Sequence, residues 1–130
     1  MDRIDPPIEV LDPLGKGLEY YTSSTINRRK REYRLKIAKQ KGNHSKKDWL
    51  DMKEFFENTC CRCHGRSGVI HIEKDHIIPI YLGGSNGIDN IQPLCAFCNT
   101  SKGPECIDYR PSLINLLGKE LPKQYILLHG

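Results

Sequence analysis

Two cysteine pairs constrain this chain more than anything else in it. Cys60 and Cys63 form one CxxC unit and Cys95 and Cys98 a second, with 31 residues between them. Two such knuckles that converge surround one tetrahedral ion with four thiolates, a donor set that suits zinc. The intervening segment must leave the site and return to it. It is longer than a compact ribbon needs, so a functional insertion is expected there. A zinc held in this way is closed and structural, and its binding contributes folding free energy directly. Within the cluster, Cys61 competes with Cys60, although a C-x-C pair makes a poorer knuckle, and His64 can replace a ligand. Cys61 and Cys106 are otherwise expected to be free thiols.

A staple is needed because only 38% of the 130 residues are hydrophobic, which suits one compact domain with a small core. The sequence shows no charged-then-apolar leader and no apolar run of membrane-spanning length. A cytoplasmic location without membrane association is therefore expected, and there paired cysteines bind metal more often than they form disulfides. The formal charge of +4 is unevenly spread. Residues 28–47 carry ten Lys/Arg against one acid, Glu32, for a local +9, so the rest of the chain sums to −5. An acidic body with a concentrated basic segment points to a polyanion partner.

Four segments follow from the order of turn and cap signals. Residues 1–22, with Pro6, Pro7, Pro13, Gly15 and Gly17, read as an irregular arm with a short strand around Ile8 to Leu11. Residues 23–44 read as a basic helix capped by Ser23-Ser24-Thr25, running toward Gln40 and stopped in a left-handed turn at Gly42-Asn43. Ile26, Tyr33 and Ile37 share one face of it. Arg28, Arg29, Arg31, Arg34, Lys36 and Lys39 cover the rest, and are expected to meet phosphate, because unpaired like charges destabilise an isolated helix.

Residues 45–106 hold the chemistry. Ser45-Lys46-Lys47-Asp48 is a variant capping box that opens a second helix. Trp49, Met52 and Phe56 form its apolar stripe, widened by Leu50 and Phe55; core packing is the expected role and base stacking the alternative. The β-branched run 69–78 reads as a strand with Ile70, Ile72, Lys74 and His76 on one face and His71, Glu73, Asp75 and Ile77 on the other. Ile88 to Leu94 suits a second short strand, and Cys95 to Ser101 the start of a helix. Residues 107–130 form a C-terminal helix and tail. Arg110-Pro111-Ser112 opens that helix, Leu113, Leu116 and Leu117 are its apolar side, and Gly118 closes it.

The 75–99 stretch collects groups that phosphodiester hydrolysis requires. Asp75 and Asn99 offer oxygen ligands for Mg²⁺ or Mn²⁺. His76 suits a general base at neutral pH, and Asn90 can fix the loop that carries it. His71 and Glu73 share the Asp75 face, but water and phosphate are the expected remaining ligands.

In order, Asp75-His76-Ile77-Ile78-Pro79, Gly83-Gly84, Asn90-Ile91-Gln92-Pro93-Leu94-Cys95-x-x-Cys98-Asn99 and Lys102-Gly103 resemble the HNH endonuclease motif in its zinc-knuckle form. The resemblance covers roughly residues 45–103. It implies an α+β chain with a ββα-metal (HNH) core and a four-cysteine zinc knuckle, preceded by the basic helix and flanked by short helices. It implies that His76 is the base, Asp75 and Asn99 the catalytic metal ligands, and Asn90 the brace of the base-bearing loop. Cys60, Cys63, Cys95 and Cys98 become the structural zinc ligands, and Lys102 sits where it can meet phosphate. Asn99 replaces the final histidine of the motif, which removes a nitrogen ligand and favours Mg²⁺ or Mn²⁺ over softer ions. The expected activity is hydrolysis of double-stranded DNA, by nicking or by cutting both strands. The resemblance also suggests a phage origin, with a homodimer or phage packaging proteins as partners. The competing readings are a non-catalytic zinc-ribbon DNA-binding module and a zinc-stapled adaptor. Neither uses Asp75, His76 and Asn99 together.

Overall fold

The computed structural model describes residues 3–66 and 68–128. The outermost ends of the expected arm and tail, and residue 67 in the loop after the first knuckle, lie outside the described residues. The helices are α1 (Ile8–Leu11), α2 (Ser23–Lys41), α3 (Lys46–Phe55), α4 (Ala96–Lys102) and α5 (Arg110–Leu117). One antiparallel sheet pairs β1 (Ile72–His76) with β2 (Ile91–Cys95). The architecture is α+β, as expected, with a ββα order of β1, β2 and α4.

The core is built directly on the cysteines. The side chain of Ser45 accepts from the Asp48 N–H at 3.0 Å and the Asp48 carboxylate accepts from the Ser45 N–H at 2.8 Å, closing the capping box. Those bonds from Ser45 hold the Asp48 carboxyl below the usual carboxylate range. The cap starts α3 in the phase that turns Met52 inward, with Phe56 one turn on and Trp49 and Phe55 beside them. Against this stripe lie Cys60, Cys61, Leu94, Cys95 and Cys98, with Leu113 of α5 and Tyr125 of the tail closing the far side. Leu50 does not widen the stripe; it is 47% exposed. Leu116 is also exposed, so α5 packs through Leu113, Ile114 and Leu117.

Several expected elements take another form. Residues 8–11 are helical, not extended. A strand there would need a partner edge for its backbone groups, whereas the turn satisfies its own, Asp12 N–H donating to the Ile8 carbonyl at 2.8 Å. The cap of α2 is Thr22, whose hydroxyl accepts from the Thr25 N–H at 3.2 Å. Its C-terminal stop is not left-handed: Gly42 is extended, and a Cβ there would come within 2.6 Å of the Ser85 hydroxyl. The first strand starts at Ile72; before it, Arg66 pairs with Thr59 in an isolated bridge and residues 68 and 69 lie in a turn.

The arm is anchored rather than loose. Arg29 donates to the Leu11 carbonyl at 2.7 Å and lies over the Tyr21 ring, and Arg34 donates to the Ile4 carbonyl at 2.7 Å and pairs with Asp5. At the other end, buried Arg110 binds Asp108, the Asp89 carbonyl and the Tyr125 carbonyl, and so fixes the tail. No helix among the described residues is long and apolar enough to cross a membrane.

The capping box should be measurable in the whole protein. Ser45→Ala is expected to lower the unfolding free energy by about 1 kcal/mol, read as a shifted denaturant midpoint with an unchanged slope.

Candidate active site beside a four-sulfur cluster

The sulfurs of Cys60, Cys63, Cys95 and Cys98 all lie within 4.8 Å of one another. Around a tetrahedral ion with bonds of about 2.3 Å, sulfurs stand about 3.8 Å apart, and Cys63 Sγ lies 3.8 Å from Cys95 Sγ. The backbone already has knuckle geometry. The Gly65 N–H points at Cys63 Sγ and the Cys98 N–H at Cys95 Sγ, each at 3.4 Å. Burial raises the Cys60 thiol, but N–H groups of Cys63, Cys95 and Arg62 outweigh it and hold its pKa at about 7. These residues fit a metal such as zinc. Both alternatives within the cluster fall away. Cys61 is buried among apolar side chains, which pushes its thiol far up, and His64 turns to the Ser112 hydroxyl at 3.0 Å.

Cys95 ends β2 and caps α4, so the cluster sits at the joint of the ββα unit. The register is regular, Ile72 opposite Cys95 through His76 opposite Ile91. Asp75 therefore faces Gln92. Its Oδ2 accepts from Gln92 Nε2 at 2.9 Å and lies 3.3 Å from Lys102 Nζ. Among the described residues no buried side-chain oxygen lacks a partner, so Oδ1, which takes no such bond, opens to solvent space. Burial pushes the Asp75 carboxyl up, opposed by the Gln92 bond and the Lys102 charge.

Strict alternation would part Asp75 from His76. The β1–β2 ladder contains no bulge to re-aim either. They meet because β1 is an edge strand that ends at His76. A cleft of about 270 Å³ runs along that edge, bordered by Lys74, Asp75, His76, Tyr81, Asn99 and Lys102. Asn99 stands in it on α4, its Nδ2 donating to Glu73 Oε1 at 3.0 Å. Glu73 is thus engaged with Asn99, and His71 is exposed.

Asn90 is 1% exposed and fully used. Its Oδ1 accepts from Ile78 N–H at 2.9 Å, and its Nδ2 donates to the carbonyls of Ile78 and Ser85. The loop between them depends on Gly84, where a Cβ would fall 1.8 Å from the Ile78 oxygen. Asn86 holds the imidazole: its Oδ1 is 2.9 Å from His76 Nε2, and its Nδ2 donates to Asn43 Oδ1. Burial pushes the His76 pKa down, with Asn86 and Asp75 opposing. Asn86 and Gln92 are site residues that sequence reasoning missed. Gln92 is the one polar side chain in the otherwise apolar strand Ile91–Cys95 and lies opposite Asp75, a signal visible only once the register is known.

Three basic residues are not placed as expected. The Lys102 ammonium does not reach into solvent; its side chain is 1% exposed and binds Asp75 and the His76 carbonyl. Arg29 and Arg34 are committed to the arm. Arg28, Arg31, Lys36 and Lys39 are exposed, with Arg28 paired to Glu32 one turn on.

The ββα unit thus combines a four-sulfur joint with an Asp-His-Asn cleft. The HNH endonuclease family model matches residues 60–105. Among curated proteins, a probable HNH endonuclease of Lactococcus phage SK1 is 29% identical over 84 residues, covering 57% of this chain and 88% of the relative. No solved structure matches significantly. Residues 60–105, which carry both cysteine pairs and the cleft, are thus similar to the HNH endonuclease family.

The cluster makes a prediction about stoichiometry. Purified protein should carry one metal ion per chain by elemental analysis. Cys95→Ser is expected to lose it and melt lower, whereas Cys61→Ala should keep it.

Proposed function

We propose that this protein is a divalent-metal-dependent DNA endonuclease using the single-metal HNH mechanism, with a structural zinc on Cys60, Cys63, Cys95 and Cys98. The observation that carries the reading is that one cleft along the edge of β1 is bordered by Asp75, His76 and Asn99 together. Its open oxygens are hard donors, so Asp75 Oδ1 and the Asn99 carboxamide oxygen would hold Mg²⁺ or Mn²⁺, with water completing the shell. Such an ion, when bound, neutralises charge on the phosphate and on the leaving oxygen.

The chain's own residues supply the rest. Asn86 Nδ2 is engaged by Asn43, so Asn86 Oδ1 is the acceptor facing His76 and Nε2 carries the proton. The other nitrogen, Nδ1, keeps its lone pair and takes a proton from water as the water oxygen attacks phosphorus and the P–O bond to the leaving group breaks. Gln92 and Lys102 lock the carboxylate rotation of Asp75. Asn90 keeps the backbone after His76 in place. Arg28, Arg31, Lys36 and Lys39 on the exposed side of α2 would meet duplex phosphates. Neither the fold nor the similarity to the phage protein supports the expected homodimer or packaging partners.

Nicking of supercoiled plasmid with a panel of divalent metals tests this. His76→Ala is expected to slow cleavage by at least about 10²-fold, with the melting temperature and cysteine-bound metal unchanged. Undiminished nicking by the variant would remove His76 from the reaction, and no nicking by the wild type under any metal would favour a DNA-binding module without catalysis. Asn86→Ala should lower kcat by about 10²-fold through misorientation and leave KM nearly unchanged. The working form of His76 is neutral, and its pKa lies below the ordinary 6.5. The rate should therefore rise with pH along a limb centred below that value and be flat through neutrality; a limb centred above pH 7 would exclude His76 as the base.

A further inference from the structure

Behind His76 lies a second cleft, of about 410 Å³, which the mechanism above does not use. It is lined by Lys39, Asn43, His44, Lys74, His76 and Asn86, with Leu35 at its edge and no carboxylate. It shares Lys74 and His76 with the first cleft. The hydrogen bonds fix the state of His44. Its Nδ1 must donate to the Asn86 carbonyl, 2.7 Å away, so Nε2 is left as an acceptor, and the Lys74 ammonium lies 3.2 Å from it. His44 is therefore a prop that orients the Lys74 side chain and carries no negative charge to cancel it. Neither Lys74 nor Lys39 takes part in an ion pair among the described residues. The neighbouring acid Glu73 is engaged with Asn99 and does not line this cleft. Asn43 uses its Oδ1 for Asn86, which leaves its amide as a further donor. Two uncompensated ammonium groups and an amide donor around one hollow favour an anion over water.

We propose that this second cleft is a phosphate-binding subsite for the phosphodiester next to the one cleaved, gripped by Lys39 and Lys74 with His44 as the support of Lys74. The placement on the same strand rests on the nuclease reading, because the two clefts share the Lys74–His76 wall. A strand with its scissile phosphate in the first cleft carries a neighbouring phosphate across that wall into the second. The anion site itself rests only on the cleft. It also gives the basic helix a purpose beyond general attraction, since Lys39 delivers one of its charges to the reaction centre.

Two measurements on the full chain separate the claims. The first is duplex binding, without added divalent metal, as a function of salt. Loss of one phosphate contact should reduce the slope of log K against log salt by about 0.9, so Lys74→Gln and Lys39→Gln should each show that change, whereas Lys123→Gln, an equal charge loss on the tail, should not. Equal slopes for all of these variants would overturn the subsite. The second is titration with inorganic phosphate, followed through the His44 imidazole resonances. Saturable shifts, weakened by Lys74→Gln or by Lys39→Gln, are expected. Their absence overturns the subsite even if the protein nicks plasmid. Their presence in a protein that never cleaves DNA would keep the anion site and remove the nuclease reading.

Discussion

Convergence of four sulfurs is the constraint on which the rest of the structure depends. The hydrophobic core is small and includes Cys60, Cys95 and Cys98, so the cluster is part of the packing. Cys95 serves three purposes at once. It is the last residue of β2 and the partner of Ile72, it caps α4, and its sulfur belongs to the cluster. Closing the cluster therefore fixes how α4 leaves the sheet. Asn99 follows Cys98 directly, and Asp75 lies on the strand paired with the one that Cys95 ends. The path between the two candidate ligands is short and runs through a rigid joint, which suits a site whose oxygens must be held at fixed separation.

Buried polar groups finish what the joint begins. Asn90, Gln92 and Lys102 are all nearly inaccessible, and each is bonded to partners on neighbouring segments. An unpartnered polar atom in such surroundings costs about 1–3 kcal/mol, so these networks tolerate few alternative arrangements. Gln92 shows how one side chain serves several segments. It steadies Asp75 from below, donates to the Ile107 carbonyl and accepts from the Tyr109 N–H, tying the segment before α5 to the site. Satisfaction on one side leaves the other side of the carboxylate open. A carboxylate bonded through both oxygens would be a poorer ligand.

The basic helix does two different things on two faces. At 3.6 residues per turn, Arg29 and Arg34 flank the inner side that carries Ile26, Tyr33 and Ile37, while Arg28, Arg31 and Lys39 fall opposite. The inner arginines bind backbone carbonyls of the arm that no sheet or helix would otherwise satisfy. The outer cations remain exposed, and Lys39 lines the cleft beside His44 and His76. A charge run read only as a sum hides this division.

The sequence by itself determined the features that rest on local chemistry. Paired CxxC units specify a four-thiolate cluster wherever the chain lets them meet, and a Ser-x-x-Asp box starts a helix at the residue it marks. Gly118 likewise ends α5 in the left-handed region, with φ 65°. The ordered Asp-His, Asn and Cys-x-x-Cys-Asn signals identified the HNH stretch for the same reason: each needs only its neighbours to be legible. What tertiary structure decided depends on residues far apart in sequence. Asp75 and His76 share a cleft because β1 lies at a sheet edge, and strand periodicity alone argues against it. Lys102 is buried because Asp75 lies beside it, though its position in the motif suggests a phosphate contact. Asn86, His44 and Gln92 carry no signature, since a hydrogen bond across 10, 42 or 17 residues exists only after the chain has folded.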